Sequence, residues 1–248
     1  MKYLKKESKV YDMINDGDLM AKKIDYFERS DKAFLIMPLY YKNAEQIFRT
    51  SKSEYFNQKD ILMLGIQMFQ QLHYLHNKQI LHLDIKPENM MYSNESNKFL
   101  LIDFGLSKTY IKNKKHISFK NNCGRCGTLK FMSINCHQKN SLSRKDDLLS
   151  LSYSLIYLYL GSLPWKTQRY KNGNKEENYK RIMSDKENFE ENLNDYKIPP
   201  PLLFLINYSN NLSFKEEPDY HFLIKGFYNY LKINGYRYDG KWTWLNKI

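Results

Sequence analysis

Two short polar motifs, separated by an apolar segment, restrict the fold of this chain more than any other feature. The first is the run from His82 to Asn89, which carries a carboxylate, an ammonium group and an amide close together. The second is Asp103-Phe104-Gly105, which directly follows the apolar residues 99–102. Such a short apolar run is typical of a buried strand. The order therefore predicts a loop and a strand end whose polar side chains meet at one site.

The polar groups of these motifs match the requirements of phosphoryl transfer. The Asp84 carboxylate is suited to accept the proton of a hydroxyl, and the Lys86 ammonium group offsets the charge that develops on the phosphoryl group. Asn89 and Asp103 supply oxygens that hold Mg²⁺ across nucleotide phosphates. The sequence thus predicts a site that uses ATP and Mg²⁺.

The length and the cysteine content indicate the broad class of the protein. With 248 residues, of which 42% are hydrophobic, the chain can form one large domain or two small lobes. It has three cysteines and a charged N-terminal segment, which favour a reducing intracellular compartment, the cytoplasm or the nucleus, without disulfides.

Two features raise other classes of partner. Residues 148–165 carry no charge and are long enough to consider a membrane span, but their four serines, Gly161 and Pro164 favour a helix buried inside a large lobe. The net charge of +12 favours anionic partners. Because Asn, Ile and Tyr are abundant too, compositional bias explains that charge, and no nucleic-acid motif accompanies it. We therefore expect neither membrane nor nucleic acid as a partner.

Periodicity predicts a helix, two strands and a second helix before the first motif, and helices after the second motif. The predicted elements are a helix over residues 2–14, strands over 24–29 and 32–39, and helices over 60–76, 202–208 and 220–231. Residues 106–126 lack periodicity, which predicts a loop. Asn172-Gly173-Asn174 indicates a solvated loop within a charged region.

Further motifs make the chain from Glu7 onwards similar to the casein kinase I family of Ser/Thr protein kinases. The most specific are Ser133-Ile134-Asn135, where most protein kinases have Ala-Pro-Glu, and Ser143-Arg144-Lys145-Asp146-Asp147-Leu148. The other matching segments are Glu7-Ser8-Lys9-Val10-Tyr11, Gly127-Thr128, Gly161-Ser162-Leu163-Pro164-Trp165 and Glu217-Pro218-Asp219-Tyr220.

The resemblance implies an α+β, protein-kinase-like bilobal fold that is a single protein kinase domain over residues 1–248. A truncated N-lobe, with helix C and two or three strands, would cover residues 1–39, and a complete, mainly helical C-lobe would cover residues 40–248. ATP would bind between the lobes, with Met37 as gatekeeper, Leu39 in the hinge and Met91 beneath the adenine ring. Glu7 corresponds to the helix C glutamate that pairs with the ATP-binding lysine.

The resemblance also implies roles for residues of the C-lobe. Thr128 would link Asp84 to the substrate-binding loop. Lys130 matches a residue of the basic patch that binds acidic or already phosphorylated protein substrates, which are the expected partners. Asp147 resembles the aspartate that holds the backbone of the catalytic loop, and the alternative interpretation of Asp147 is an ordinary helix N-cap.

The largest departure from the family is before Glu7, where no Gly-x-Gly-x-x-Gly loop and no lysine-bearing strand occur. These parts hold the nucleotide phosphates, so activity of the chain as it stands is not expected. We favour an incomplete chain over a catalytically degraded protein, because without catalysis there is no chemical reason to keep Asp84, Lys86, Asn89 and Asp103 together. The alternative function is a pseudokinase scaffold that binds protein partners. In both cases the small-lobe strands would have an unpaired edge and an uncovered apolar face.

Two departures concern anion-binding positions. Leu83 stands where the family has an arginine that binds an anion on the activation segment, which predicts activity independent of phosphorylation there. Asn178 stands where a lysine of the basic patch is expected, and Lys171, Lys175 and Lys180 are candidates to compensate for it.

Metal binding is a separate alternative for the segment after the second motif. Cys123, Cys126, Cys136 and His137 have a spacing that four zinc ligands can adopt. The family resemblance opposes this interpretation, because a zinc ion would immobilise a loop that must receive substrate.

Overall fold

The computed structural model describes residues 2–15, 19–50, 56–165 and 175–245, and its N-terminal part is a small lobe made of one helix and one hairpin. Helix α1 (Lys2–Met13) packs against strand β2 (Lys32–Ile36), which pairs with strand β1 (Asp25–Arg29). The side chains of Val10, Tyr11 and Ile14 are buried. Their spacing places these residues on one face of the helix. Glu7 is on the same face and lies towards the large lobe.

The outer face of the small-lobe hairpin is apolar and uncovered, as the sequence predicted. Phe27 and Phe34 lie opposite each other in the register and stack with ring centroids 5.0 Å apart. Their exposed fractions are 42% and 38%. Within the described ranges, neither β1 nor β2 pairs with a third strand. The hairpin therefore has two free edges beside an exposed aromatic pair.

The large lobe is built mainly from helices. In the part of the chain that the structure describes, they are α2 (Ala44–Thr50), α3 (Gln58–Asn77), α4 (Ile134–His137), α5 (Arg144–Leu160), α6 (Lys175–Glu191), α7 (Pro200–Asn211) and α8 (Tyr220–Ile233). The predicted helices are confirmed with ends that differ by a few residues. The lobe boundary after residue 39 stays a prediction, and the predicted loop at Asn172-Gly173-Asn174 lies outside the described residues.

Helix α5 occupies the centre of the large lobe and packs against α3 and α7. Almost every side chain from Arg144 to Leu158 is buried, which confirms the interpretation of the uncharged stretch as an internal helix. Ser143 is the N-cap of α5, and Gly161 ends it in a left-handed conformation with φ of 82°. No helix among the described residues is long and apolar enough to cross a membrane.

A two-stranded sheet brings the two sequence motifs together. Strands β4 (Met90–Ser93) and β5 (Lys98–Leu101) are antiparallel, so the first motif precedes β4 at the same end at which β5 enters the second motif. The other edge of β5 is satisfied by side chains of α3. Gln71 accepts a hydrogen bond from the Leu101 backbone N–H at 2.7 Å and donates one to the Phe99 carbonyl oxygen at 2.8 Å.

The C-terminal segment covers this sheet. Trp242 lies edge-on to Phe99 with ring centroids 4.9 Å apart, and Trp244 lies edge-on to Tyr92 at the same distance. Both tryptophans are almost fully buried. The sheet that carries the motifs is thus enclosed between α3 and residues 242–244.

The segment after the second motif contains short strands where the sequence predicted a loop without structure. Strand β6 (Lys108–Thr109) pairs with β3 (Ile80–Leu81). Strands β7 (Ile111–Lys112) and β8 (Lys115–His116) form a hairpin. Each strand has two residues, which is too short to leave an alternating pattern in the sequence.

Candidate active site

The first motif forms a hydrogen-bonded cluster centred on the Asp84 carboxylate. Its Oδ2 accepts a hydrogen bond from the Lys86 Nζ at 2.6 Å. Its Oδ1 accepts two bonds from Thr128, one from the backbone N–H and one from Oγ1, both at 2.8 Å. The Asn89 Nδ2 donates to the Asp84 carbonyl oxygen at 2.9 Å. The structure thus brings together the four residues predicted to be catalytic, although Thr128 lies 44 residues after Asp84.

Gly127 allows the close approach of Thr128 to the first motif. Its φ is 89°, in the left-handed region that glycine adopts readily. A Cβ at this position would lie 2.5 Å from the carbonyl oxygen of Leu83, well inside van der Waals contact. Glycine is therefore required where the two loops meet.

The Asp147 side chain fixes the backbone at the start of the first motif. Its carboxylate accepts hydrogen bonds from the backbone N–H groups of His82 and Leu83, both at 2.8 Å, and lies 2.9 Å from the His76 Nε2. Burial alone raises the pKa of Asp147, but the hydrogen bonds from His76 and Leu83 outweigh it, so the pKa lies below its ordinary value. Ser143, not Asp147, is the N-cap of α5. The geometry thus fits the first of the two interpretations of Asp147.

The second motif lies against helix α1. The Phe104 ring is buried and meets the Tyr11 ring edge-on, with centroids 5.0 Å apart. The Phe104 backbone N–H donates to the Glu7 Oε1 at 3.3 Å, and the Asp103 N–H donates to the Tyr11 hydroxyl oxygen at 3.3 Å. Since the Phe104 ring is held inside, the Asp103 side chain is left exposed.

Both motifs contain a non-glycine residue in the left-handed region. The φ angles are 69° at Leu83 and 66° at Asp103. This conformation is unfavourable for residues with a Cβ, and such strain persists only where surrounding contacts fix it. The Leu83 N–H is fixed by Asp147 and the Asp103 N–H by Tyr11. Strain at two adjoining loops is a common property of functional sites.

A family model for the protein kinase domain matches residues 2–217 of the chain. The chain belongs to the protein kinase family. The match covers both motifs, both lobes and most of the helices. The mixed α/β fold with two lobes, predicted from the sequence, is therefore the fold of a protein kinase domain.

Glu7 of this kinase domain has no cationic partner within the residues that the structure describes. Lys5 pairs instead with Glu28 at 3.2 Å, and Lys23 with Asp12 at 2.5 Å. Burial, and then the negative charge of Asp103, raise the pKa of Glu7, while the hydrogen bond from Phe104 opposes them. Among the described residues, the Glu7 carboxylate is held by the backbone N–H of Phe104.

The three residues predicted to contact adenine lie in different surroundings. Met37 is half-buried against the core, the Leu39 side chain is fully exposed, and Met91 lies opposite Leu100 in the β4–β5 sheet. A cavity of about 220 Å³ beside the hinge is lined by Pro38 and Leu100, among others, but by none of these three. The assignment of Met37, Leu39 and Met91 to the nucleotide stays a prediction.

Lys130, predicted to bind substrate anions, is half-buried. Its Nζ lies 3.2 Å from the centroid of the Tyr157 ring, and the Tyr157 hydroxyl donates to Glu45 at 3.1 Å. Burial lowers the pKa of Lys130. Asn178 accepts a hydrogen bond from Arg181 at 3.1 Å, whereas Lys171 lies outside the described residues.

Lys186 is a buried residue of the kinase that the sequence analysis missed. Its Nζ donates to the carbonyl oxygens of Met132 at 2.6 Å and Leu129 at 3.1 Å, and lies 3.2 Å from the His137 Nε2. These carbonyl groups belong to the segment that contains Lys130. Burial lowers the pKa of Lys186 to about 7. One lysine side chain thus fixes the segment that follows Thr128.

A signal for Lys186 is present in the sequence. The spacing of Ile182, Lys186 and Phe189 places the lysine on the buried stripe of α6. Another missed contact joins the Arg125 guanidinium to both carboxylate oxygens of Glu176, each at 2.8 Å. Its partners are 51 residues apart, so no local pattern indicates it.

The possible zinc ligands are engaged in other contacts. The Cys136 Sγ donates to the Cys126 carbonyl oxygen at 3.1 Å, and the His137 Nε2 lies beside Lys186. Burial, and then the charge of Lys186, lower the pKa of His137 to about 3. No group of three or more His, Cys, Asp or Glu side chains in the described ranges is placed to hold a metal ion.

Proposed function

We propose that this protein kinase transfers the γ-phosphoryl group of ATP to serine and threonine hydroxyls of proteins, as a casein kinase I-type enzyme. The observation that carries the proposal is the hydrogen-bonded cluster of Asp84, Lys86 and Thr128. In this cluster the Lys86 ammonium group donates to the Asp84 carboxylate, next to the left-handed residue Leu83. Inside the cell, the cytoplasm or the nucleus is the proposed location.

Each group of the cluster has a distinct role in this proposal. The Asp84 carboxylate orients an acceptor hydroxyl and takes its proton, which is released as the oxygen bonds to phosphorus. Thr128 fixes Asp84 Oδ1 through two hydrogen bonds, so the carboxylate cannot rotate. The Lys86 Nζ, also 3.1 Å from the Thr128 Oγ1, offsets the charge that develops on the transferred group.

Asn89 and Asp103 fit a site for Mg²⁺ by their chemistry. The Asn89 Nδ2 is used by the Asp84 carbonyl oxygen, which leaves the Asn89 Oδ1 as a ligand. Asp103 is exposed, and its Oδ1 accepts one bond, from Gly105 at 3.3 Å. Mg²⁺ takes one or two protein carboxylates together with substrate phosphates, so it does not need a larger cluster of acidic side chains, and the described residues contain none. When bound, the ion neutralises phosphate charge.

Contacts of the Ser133-Ile134-Asn135 motif support the casein kinase I type. The Ser133 Oγ accepts from the Cys136 N–H at 3.1 Å and donates to Asp146 at 2.6 Å. The Asn135 Nδ2 donates to the same carboxylate at 3.2 Å. The motif therefore joins α4 to the first turn of α5 with its own side chains. Acidic or phosphorylated substrates remain part of the proposal on the basis of Lys130, with the exposed Lys175 and Lys180 as candidates to compensate for Asn178.

Phosphorylation of dephosphorylated casein, followed as transfer of labelled phosphate from ATP, tests the proposal on a version of the chain that is extended upstream by a glycine-rich loop and a lysine-bearing strand. We expect Mg²⁺-dependent labelling on serine and threonine, and a loss of about 10²–10⁴-fold in D84N. The matched control is D31N, which changes an exposed aspartate in the β1–β2 turn. Unchanged labelling in D84N would refute the role of Asp84, and labelling on tyrosine would refute the Ser/Thr assignment.

A pseudokinase scaffold is the second candidate, and the unpaired Glu7 favours it. With no ion pair at Glu7 in the described part of the chain, the contact that positions an ATP-binding lysine is not made. Thermal unfolding with and without ATP and Mg²⁺ separates the two candidates. A raised midpoint that D103N abolishes supports the enzyme, because only a ligand of the folded state stabilises it. No shift, together with no labelling of casein, supports the scaffold.

A further inference from the structure

A basic groove of about 780 Å³ lies beside the β7–β8 hairpin. Its walls carry Lys112 and Lys115 from the hairpin, Lys120 from the chain that follows, and Lys215 from the loop between α7 and α8. All four lysines are exposed. None of them forms an ion pair with a carboxylate among the described residues, and no acidic side chain lines the groove.

Two of these lysines, Lys112 and Lys115, are neighbours in the β7–β8 hairpin. Lys112 pairs directly with Lys115 in the register, and like charges in that position are destabilising. The turn between them has φ of 51° at Asn113 and 60° at Lys114, as in the tight two-residue turns of hairpins. Lys114 adopts this conformation at a cost, because it has a Cβ. An anion between the two ammonium groups would offset their repulsion.

A second wall, which carries Lys120 and Lys215, is fixed to the rest of the fold by hydrogen bonds to its backbone. The Lys120 N–H donates to the Ser141 Oγ at 3.0 Å, and the Ser141 N–H donates to the Lys120 carbonyl oxygen at 2.8 Å. The Arg144 Nη2 donates to the Lys215 carbonyl oxygen at 2.5 Å. The lysines on this wall therefore project from fixed backbone, which reduces the entropy lost on binding.

His116 also lines the groove. Its Nδ1 lies 2.9 Å from the Ile117 carbonyl oxygen, and its ring is packed edge-on against Phe214 with centroids 5.0 Å apart. The Nε2 is enclosed and has no hydrogen-bond partner in the described part of the protein. The exposed lysines and the exposed Ser118, with no carboxylate lining the groove, are donors of the kind from which phosphate oxygens accept hydrogen bonds.

We propose that this lysine groove binds a phosphorylated segment of a protein partner. Its volume is within the range of ligand sites and larger than one phosphate group requires. No phenylalanine, tyrosine or tryptophan lines it, so it lacks the platforms on which nucleic-acid bases stack. No described hydrogen bond or ion pair joins a lining residue to Asp84, Lys86 or Thr128.

Fluorescence anisotropy on the full 248-residue chain, without ATP, tests this inference. The probe is a labelled peptide of glycine and serine that carries two phosphoserines, and the reference is the same peptide without phosphate. We expect the phosphopeptide to bind more tightly, less so as salt is raised from about 50 to about 300 mM. The variant K112Q/K115Q should bind at least about fivefold more weakly, since it removes two charge contacts.

The control variant K225Q/K232Q changes two exposed lysines on α8 and should bind like the wild type. Circular dichroism establishes that each variant is folded, and K215Q supplies a second groove variant from another element. Equal binding of the two peptides, or equal weakening in the control and groove variants, would overturn the inference. So would a short DNA duplex that displaces the phosphopeptide at lower concentration than unlabelled phosphopeptide does.

Discussion

Replacing Asp147 with asparagine tests whether one buried carboxylate holds the catalytic loop in place. The wild-type side chain accepts two backbone hydrogen bonds at 2.8 Å and contacts His76 at 2.9 Å. Asparagine has nearly the same volume but only one acceptor oxygen, so its NH₂ group must face at least one N–H donor. The substitution therefore changes hydrogen bonding while packing stays the same.

The expected cost follows from these contacts. Loss of one or two hydrogen bonds to a charged group costs about 1.5–3 kcal/mol each, and release of the left-handed conformation at Leu83 returns about 1 kcal/mol. We expect the free energy of unfolding to fall by about 3 kcal/mol, with a midpoint lower by about 6–12 °C for a chain of this size. Urea titration followed by tryptophan fluorescence measures the first quantity, and calorimetry the second.

The control for D147N is D31N, which lies in an exposed turn and should change stability by less than about 0.5 kcal/mol. A loss of under about 1 kcal/mol in D147N would refute the reasoning, because that is the size expected of a dispensable helix cap. In that case the backbone of the catalytic loop would be held by other contacts.

Three further substitutions test contacts around the site. In G127A a Cβ would lie 2.5 Å from the Leu83 carbonyl oxygen. Urea titration should therefore show that the free energy of unfolding falls by about 2 kcal/mol or more. A fall of less than about 0.5 kcal/mol would contradict the close approach. E7Q removes a half-buried carboxylate near Asp103, so the thermal midpoint of this variant at about pH 8 should equal or exceed the wild-type value. A midpoint lower by more than about 4 °C would indicate that Glu7 forms an ion pair. Because burial lowers the pKa of Lys186 from 10.5 to about 7, the unfolded chain binds more protons between these values, and stability rises with pH by up to about 1.4 kcal/mol per unit. Urea titrations at about pH 7 and pH 9 should show this rise in the wild type relative to K186M, and parallel changes in both would contradict it.

The parts of the site that follow from sequence are those encoded within one short segment. The Asp84, Lys86 and Asn89 cluster lies on a single loop, so spacing alone places the three side chains together. The long helices were predictable for the same reason, since each repeats its apolar positions over several turns. Asp147 was anticipated only through the family resemblance, because its partners His82 and Leu83 lie more than sixty residues earlier.

The remaining features depend on contacts that no local pattern records. The contact of the Lys130 ammonium group with the Tyr157 ring, which lies on another helix, is one of them, and the role of Lys130 towards substrate stays a prediction. The lysines at 112 and 115 lie in two-residue strands, whose pairing comes from a turn with two left-handed residues. Lys186 is the intermediate case, since its position on α6 indicates burial but its carbonyl partners are only visible in three dimensions.

The tryptophans at 242 and 244 have a consequence for biosynthesis. They cover strands β4 and β5, and the Trp242 Nε1 donates to the Asn97 carbonyl oxygen across 145 residues of chain. At 5–20 residues per second, the ribosome takes roughly 7 to 30 s to add these residues. During that interval Tyr92 and Phe99 have no cover on this side, and the nascent chain presents an aromatic surface of the kind that chaperones bind. Completion of the catalytic lobe is therefore set by translation speed, well after the residues that form the active site have been made.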